Sequence, residues 1–204
     1  NKLGIVGIAP EAQMHALAAC WPDAASPARA ICDSFTLAVA LANAIELKAN
    51  IVNLSLGGPS DPLLRRLVQH GITRNMIFVA ALPTDGAATG FPSEIPGVVV
   101  VDSVGHKHTA RDVLLAPGTD VLTLVPQNGY GFVSGSSMAA ANVSGGIALL
   151  LSHRVKSSEI REALSQTSRG DGINICVALA GRQASQQCEQ TASIHNAGAT
   201  VLEP

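Results

Sequence analysis

Three short aliphatic runs restrict the fold more than anything else in the chain: IVNLSL at 51–56, MIFVAA at 76–81 and GVVVVDSV at 97–104. Runs of this length, rich in β-branched residues and bounded by glycine, read as strands buried on both faces. Between the first two lies DPLLRRLVQHG (61–71), a segment with strong helix punctuation. Asp61 stands at the N-cap, Pro62 at the first helical position, and Gly71 is expected just past the last turn. SFTLAVALANAIELK (34–48) reads as another helix, apolar on nearly every face and so expected to be mostly buried. AQMHALAA (12–19) and DVLTLV (120–125) are further expected strands, and SSEIREALSQ (157–166) is a polar helix. Strands alternating with helices place the chain in the α/β class: three layers, with a mostly parallel sheet and helices on both faces.

Composition narrows the function classes. Net charge is −2 with no basic run, so nucleic-acid binding is poorly supported. Apolar stretches are interrupted by Asn, Ser or Gly, and none reads as a membrane span. Four cysteines form two equally spaced pairs, Cys20/Cys32 and Cys176/Cys188. Two short-loop disulfides and four reduced, buried thiols are both compatible with that spacing.

The stretch SGSSMAAANVSGG (134–146) points to chemistry. It places hydroxyls between glycines and then enters a helix almost free of large side chains. Ser136 and Ser137 would open that helix, where unpaired N–H groups and the helix dipole favour a developing negative charge. Gly135 permits a sharp turn, and Ala139 to Ala141 let the helix sit close to its neighbours. Taken alone, the same residues also suit an ordinary N-cap.

Several stretches in order resemble the subtilisin-like serine peptidases (subtilases). They are GIVGIAPEAQMHALAA, IVNLSLGG, IFVAALPTDG, FPSEIPGVVVVDSV, LLAPGTDVLTLVPQNGYGFVSGSSMAAANVSGGIALLL, SSEIREALSQT and GINICVALA, together covering residues 1 to about 180. The resemblance implies a partial subtilisin-like peptidase domain over 1–182, lacking the family's N-terminal portion, with 183–204 as a C-terminal extension. It implies Ser137 as nucleophile for acyl transfer to water. Ser55, Leu56 and Gly57 would form a strand edge that pairs with a polypeptide substrate, and Ala80, Ala81 and Leu82 would help wall the specificity pocket. Thr84 stands where the family has the asparagine whose amide donates to the oxyanion, with Pro83 in place of glycine. A threonine hydroxyl can donate too, but it is shorter. Ala141 and Asn142 stand where Pro and His are usual.

The family's catalytic Asp and His precede its serine, and neither of their motifs occurs here. The resemblance therefore implies an N-terminal segment or separate chain that supplies them. Without that base the chain alone is expected to be inactive. A sheet lacking that part would expose core surface, so the chain is expected to be poorly soluble or to need the missing piece bound. None of the six histidines offers a replacement base: His106 and His108 flank Lys107 in an expected turn and read as solvated. An alternative is a subtilase-like pseudoenzyme that binds peptides without cutting them. A third reading takes Gly135-x-Ser137-x-Ala139 as a nucleophile elbow, with Asp171 and His195 following in α/β-hydrolase order. It needs a strand immediately before the serine, where VPQNGYGFVSG reads as turns. No cofactor is required by the implied chemistry, and no metal site is expected. Structural calcium occurs in the family, but Asn1 alone cannot define a site. Family habit and the cysteine pairs imply a secreted or periplasmic protein.

Overall fold

The computed structural model describes residues 4–25, 30–125, 129–167 and 172–180. A disulfide joins Cys20 and Cys32, which face each other across a small antiparallel pair, β1 (Cys20–Pro22) and β2 (Ala30–Cys32). Spacing alone could not choose between bridge and thiols for this pair. Cys176 is also disulfide-bonded, while Cys188 lies outside the described residues.

The first helix, α1 (Ser34–Glu46), starts where Asp33 turns extended and its carboxylate accepts the Thr36 N–H at 2.7 Å. Its buried stripe is Leu37, Leu41, Ala44 and Ile45, a spacing of four, three and one that lines one helical face. The expected burial on nearly every side is corrected here. Phe35 is 75% exposed and Val39 is also exposed, because no described element covers the outer face. Helix α2 (Pro62–Ile72) is capped by Asp61, which accepts from the N–H groups of Leu63 and Leu64. Gly71 falls inside this helix and not beyond it. A Cβ there would lie 2.6 Å from the Phe78 ring, so the glycine makes room for an aromatic side chain.

Four parallel strands, β3 (Ile51–Leu54), β4 (Ile77–Ala81), β5 (Val99–Ser103) and β6 (Leu114–Ala116), form the sheet in that order. Their two-residue alternation divides the core cleanly. Phe78, Ala80, Val98 and Val100 pack toward α1 and α2. Ile77, Val79, Ala81, Val99 and Val101 pack toward α3 (Ser136–Ser152) and α4 (Ser157–Thr167). Helices therefore cover both faces of a parallel sheet, as the sequence predicts.

Two expectations fail. Residues 12–19 form no strand: an apolar run becomes β structure only beside a pairing neighbour, and no described strand lies alongside it. Conversely, the turn-rich reading of VPQNGYGFVSG is wrong for its second half. Gly129–Val133 is a strand, β8, paired antiparallel with β7 (Val121–Val125). Opposed pairs Leu122–Phe132 and Leu124–Tyr130 put four large side chains on one exposed face of this hairpin, Phe132 at 70%. A short helix, α5 (Ile175–Ala180), was not anticipated.

Among the described residues, three carboxyl groups are held below the ordinary carboxylate range. The Thr36 N–H does this for Asp33, the Ser34 hydroxyl for Asp61 and the Ser60 hydroxyl for Glu94, with Arg65 adding attraction at Glu94. Each group binds its proton more weakly folded than unfolded. Their stabilisation is complete above the unfolded range near pH ~4 and disappears as pH falls through the lower folded values. The melting temperature should therefore fall progressively as pH is lowered from about 5 to 3. Thermal melts that stay flat over that interval would contradict the assignment.

Candidate functional site

Helix α3 begins without a side-chain cap. Gly135 occupies the N-cap at φ +146°, a backbone setting that favours glycine, and its N–H donates to the Gly118 carbonyl at 2.7 Å. The Asn142 side-chain amide donates to the Pro117 carbonyl at 2.6 Å, a second tie between helix and loop. Ser136 turns inward, its hydroxyl donating to the Leu82 carbonyl at 2.7 Å. That bond anchors the helix start to the end of β4.

Ser137 is left free by this arrangement. It is half-buried, and among the described residues its hydroxyl has no hydrogen-bond partner. Its N–H, in the first helical turn, likewise has no backbone partner there, as the geometry of a helix start dictates. A polar relay fixes the segment around it. The Ser144 hydroxyl donates to Asn53 Oδ1 at 3.0 Å, Asn53 Nδ2 donates to the Ser55 hydroxyl at 3.0 Å, and Ser55 donates to the Ser137 carbonyl at 3.3 Å. The relay spans from α3 to the end of β3.

Ser136 and Ser137 open into a cleft of about 640 Å³. One wall is the chain leaving β3, Ser55 to Ser60; the other is the chain leaving β4, Ala81 to Asp85, with Thr89 and Gly90 beside them. Functional sites of parallel sheets collect at such carboxyl ends. The peptide groups of Ser55, Leu56 and Gly57 make no backbone hydrogen bond among the described residues. Gly58 and Phe91, by contrast, pair reciprocally at 2.9 and 3.0 Å and clamp the wall.

Of the residues singled out from sequence, Ser137, Ser55, Leu56, Gly57, Ala81, Leu82 and Thr84 all line this one cleft. Ala80 does not. It sits in register between Leu54 and Val100, its side chain fully buried toward α1 and α2, because strand alternation turns it away. His106 is no freely solvated histidine. Its Nδ1 lies 2.8 Å from Oδ2 of Asp102, which is 1% exposed and also accepts the Ser103 N–H. His108 Nδ1 is 3.0 Å from the Ala110 carbonyl. No described histidine hydrogen-bonds to Ser137, and no described group of His, Cys, Asp and Glu could hold a metal. Asn1, Asp171, His195 and the stretch 183–204 lie outside the described residues.

Sequence reading missed the bracket under the cleft wall, in which Glu94 pairs with Arg65 and accepts the Ser60 hydroxyl at 2.5 Å. Residues 29 and 34 apart carry no local signal of such contact. It also missed Gly118. A Cβ there would stand 2.2 Å from the buried Ser103 hydroxyl and 2.9 Å from the Gly135 carbonyl. Gly118→Ala should cost about 2 kcal/mol through overpacking. Urea unfolding measures this, and a cost near zero would show that the turn beneath the serine is less tightly built.

Known proteins share this fold. The Subtilase family model matches residues 1–194. A thermophilic serine proteinase of Bacillus sp. (strain AK1) is 31% identical over 179 residues, covering 82% of this chain and 43% of that protein. Subtilisin DY of Bacillus licheniformis is 28% identical over 188 residues, covering 84% of this chain and 66% of its own length. Among solved structures, the S218A mutant of the PatA protease domain superposes with a TM-score of 0.66 at 26% identity, over 78% of this chain and 69% of that one. The prenylagaramide maturation protease PagA gives 0.65 at 25% identity, over 74% and 68%. The chain thus spans between about two fifths and two thirds of these curated relatives. On its family match and its parallel-sheet architecture, the chain belongs to the subtilase family.

Proposed function

We propose that this chain carries the nucleophile and substrate cleft of a subtilisin-like serine endopeptidase. The observation that supports it is the position of Ser137. Its unengaged hydroxyl opens a buried helix and faces a cleft whose opposite rim, residues 55–57, offers unpaired peptide groups. An extended polypeptide would add to that rim as a strand, and the backbone pairing would hold its scissile carbonyl over Ser137. The side chain preceding that carbonyl would enter between Leu56 and the Ala81–Leu82 wall.

Attack by the Ser137 oxygen gives a tetrahedral oxyanion. The Ser137 N–H and the Thr84 hydroxyl would be the donors that receive it. Collapse expels the amine and leaves an acyl-enzyme, which water hydrolyses. Serine is a weak nucleophile without a base, so a histidine and its orienting aspartate are assigned to an N-terminal segment or a separate chain. The proposed reaction needs no metal or organic cofactor. The disulfide between Cys20 and Cys32 favours a secreted or periplasmic setting.

Thr84 favours a second reading. Replacing an oxyanion donor costs roughly 3–4 kcal/mol, and a protein that no longer cuts could retain the peptide cleft. Hydrolysis of a quenched fluorescent peptide distinguishes the two. The full-length protein should cleave it, the 204-residue chain alone should not, and phenylmethanesulfonyl fluoride should stop the cleavage. A folded full-length protein without activity would leave the peptide-binding reading in its place.

A further inference from the structure

Building on the peptidase reading above, we propose that Asp102 and His106 are positioning residues: their pair holds the loop that buttresses the cleft wall carrying Thr84. Asp102 is the one charged side chain buried among the described residues, at 1% exposure. β5 is otherwise valine and serine, so the aspartate is not needed to build the strand. By strand alternation it follows Val100 onto the face covered by α1 and α2. A charge in such a place is costly unless it is paired and hydrogen-bonded. Both conditions are met within four residues. Oδ1 accepts the Ser103 N–H at 2.7 Å, and Oδ2 lies 2.8 Å from Nδ1 of His106. An ionised carboxylate only accepts, so Nδ1 carries the hydrogen of this bond.

What the pair fixes is the course of the chain after β5. The His106 N–H donates to the Ser103 carbonyl at 3.2 Å, closing a turn, and the imidazole reaches back to the strand. The residues that follow lie against the loop leaving β4. The Thr109 and Ala110 N–H groups both donate to the Gly86 carbonyl, at 3.0 and 3.2 Å, and His108 Nδ1 meets the Ala110 carbonyl at 3.0 Å. A Cβ on Gly86 would stand 3.1 Å from His108 Cα and 3.2 Å from the Lys107 carbonyl oxygen, so the two loops are in close contact. The Gly86 N–H in turn donates to the Pro83 carbonyl at 2.9 Å, which closes the turn containing Thr84. Arg161 of α4 secures the far end of the buttress, donating to the Asp112 carbonyl at 2.9 Å. The Asp102–His106 pair is its near anchor. An oxyanion donor works by standing in place before charge develops, and a displacement on the order of 1 Å can cost about a hundredfold in rate. Thr84 has a short side chain, so its reach depends on where this bracket sets its backbone.

The test uses full-length protein and two readouts, hydrolysis of a quenched fluorescent peptide and amide hydrogen exchange. His106→Ala should lower kcat about tenfold with KM within about twofold, the pattern of an interaction made only in the transition state. Residues 83–88 should exchange about tenfold faster or more, while α2 exchanges as before. His106→Asn offers an amide N–H in place of Nδ1 and should bring kcat back to within about threefold of the unaltered protein. His106→Ala also strands a buried carboxylate and could unfold the chain, so Asp102→Ala/His106→Ala is measured beside it. The double variant has no stranded charge but still lacks the tie, and its kcat should stay low. Unchanged kcat in His106→Ala, a double variant as active as the unaltered protein, or a loss that falls on KM overturns the positioning role and leaves the peptidase reading standing. If the unaltered protein does not cut, the peptidase reading falls, and exchange decides the tie alone: unchanged rates at 83–88 overturn it, and faster rates support it.

Discussion

Ser137→Ala in the full-length protein is expected to abolish peptide hydrolysis, with kcat falling on the order of 10⁶-fold. The size of the effect follows from the site. Ser136 is already committed to the Leu82 carbonyl and Ser55 to the Ser137 carbonyl, so neither neighbouring hydroxyl is available as a substitute. The same substitution should leave the fold nearly untouched. Ser137 is only half-buried, and its side chain forms no hydrogen bond among the described residues, so thermal melts should shift little. A variant that melts normally yet still cuts would remove Ser137 from the chemistry. One that loses activity only because it unfolds would make the residue structural.

The largest expected stability effect lies elsewhere, at Phe78. Its side chain is fully buried in β4, on the sheet face covered by α1 and α2, and its ring occupies the space opened by Gly71. Phe78→Ala removes the ring, while Leu64 and Val68 of α2 and Met76 just before β4, in the same core cluster, can only partly close the void. The cost should be about 3–5 kcal/mol, a large share of the roughly 5–15 kcal/mol that stabilises an ordinary domain. In urea the midpoint should fall sharply with little change in slope. A loss under about 1 kcal/mol would mean that the two layers are not locked through this ring.

How far the fold could be read from sequence depended on where each segment finds its hydrogen-bonding partner. Helix α2 was legible because Asp61 and Pro62 act within one turn of their own position. The strands β4 and β5 were legible because burial on both faces makes them uniformly apolar. Residues 12–19 carry the same kind of apolar pattern, yet pairing is a property of two segments and no described strand flanks this one. β8 was hidden by its glycines at 129 and 131, which read as turns, while its pairing with β7 is set by register. The site divides in the same way. Separate short motifs pointed to Ser137, residues 55–57 and Thr84, and the fold gathers them around one cleft. Ala80 was misplaced because a motif carries no information on which way a side chain points. The Asp102–His106 pair was overlooked because an aspartate inside a strand of valines gives no sign of its partner.

The central claim is that the hydroxyl of Ser137 is the reacting group of an acyl-transfer site, and chemical capture tests it most directly. Full-length protein treated with a fluorophosphonate, digested and mapped by mass spectrometry should carry one adduct, on the peptide containing Ser137. An adduct on another residue, or none on folded protein, would contradict the account.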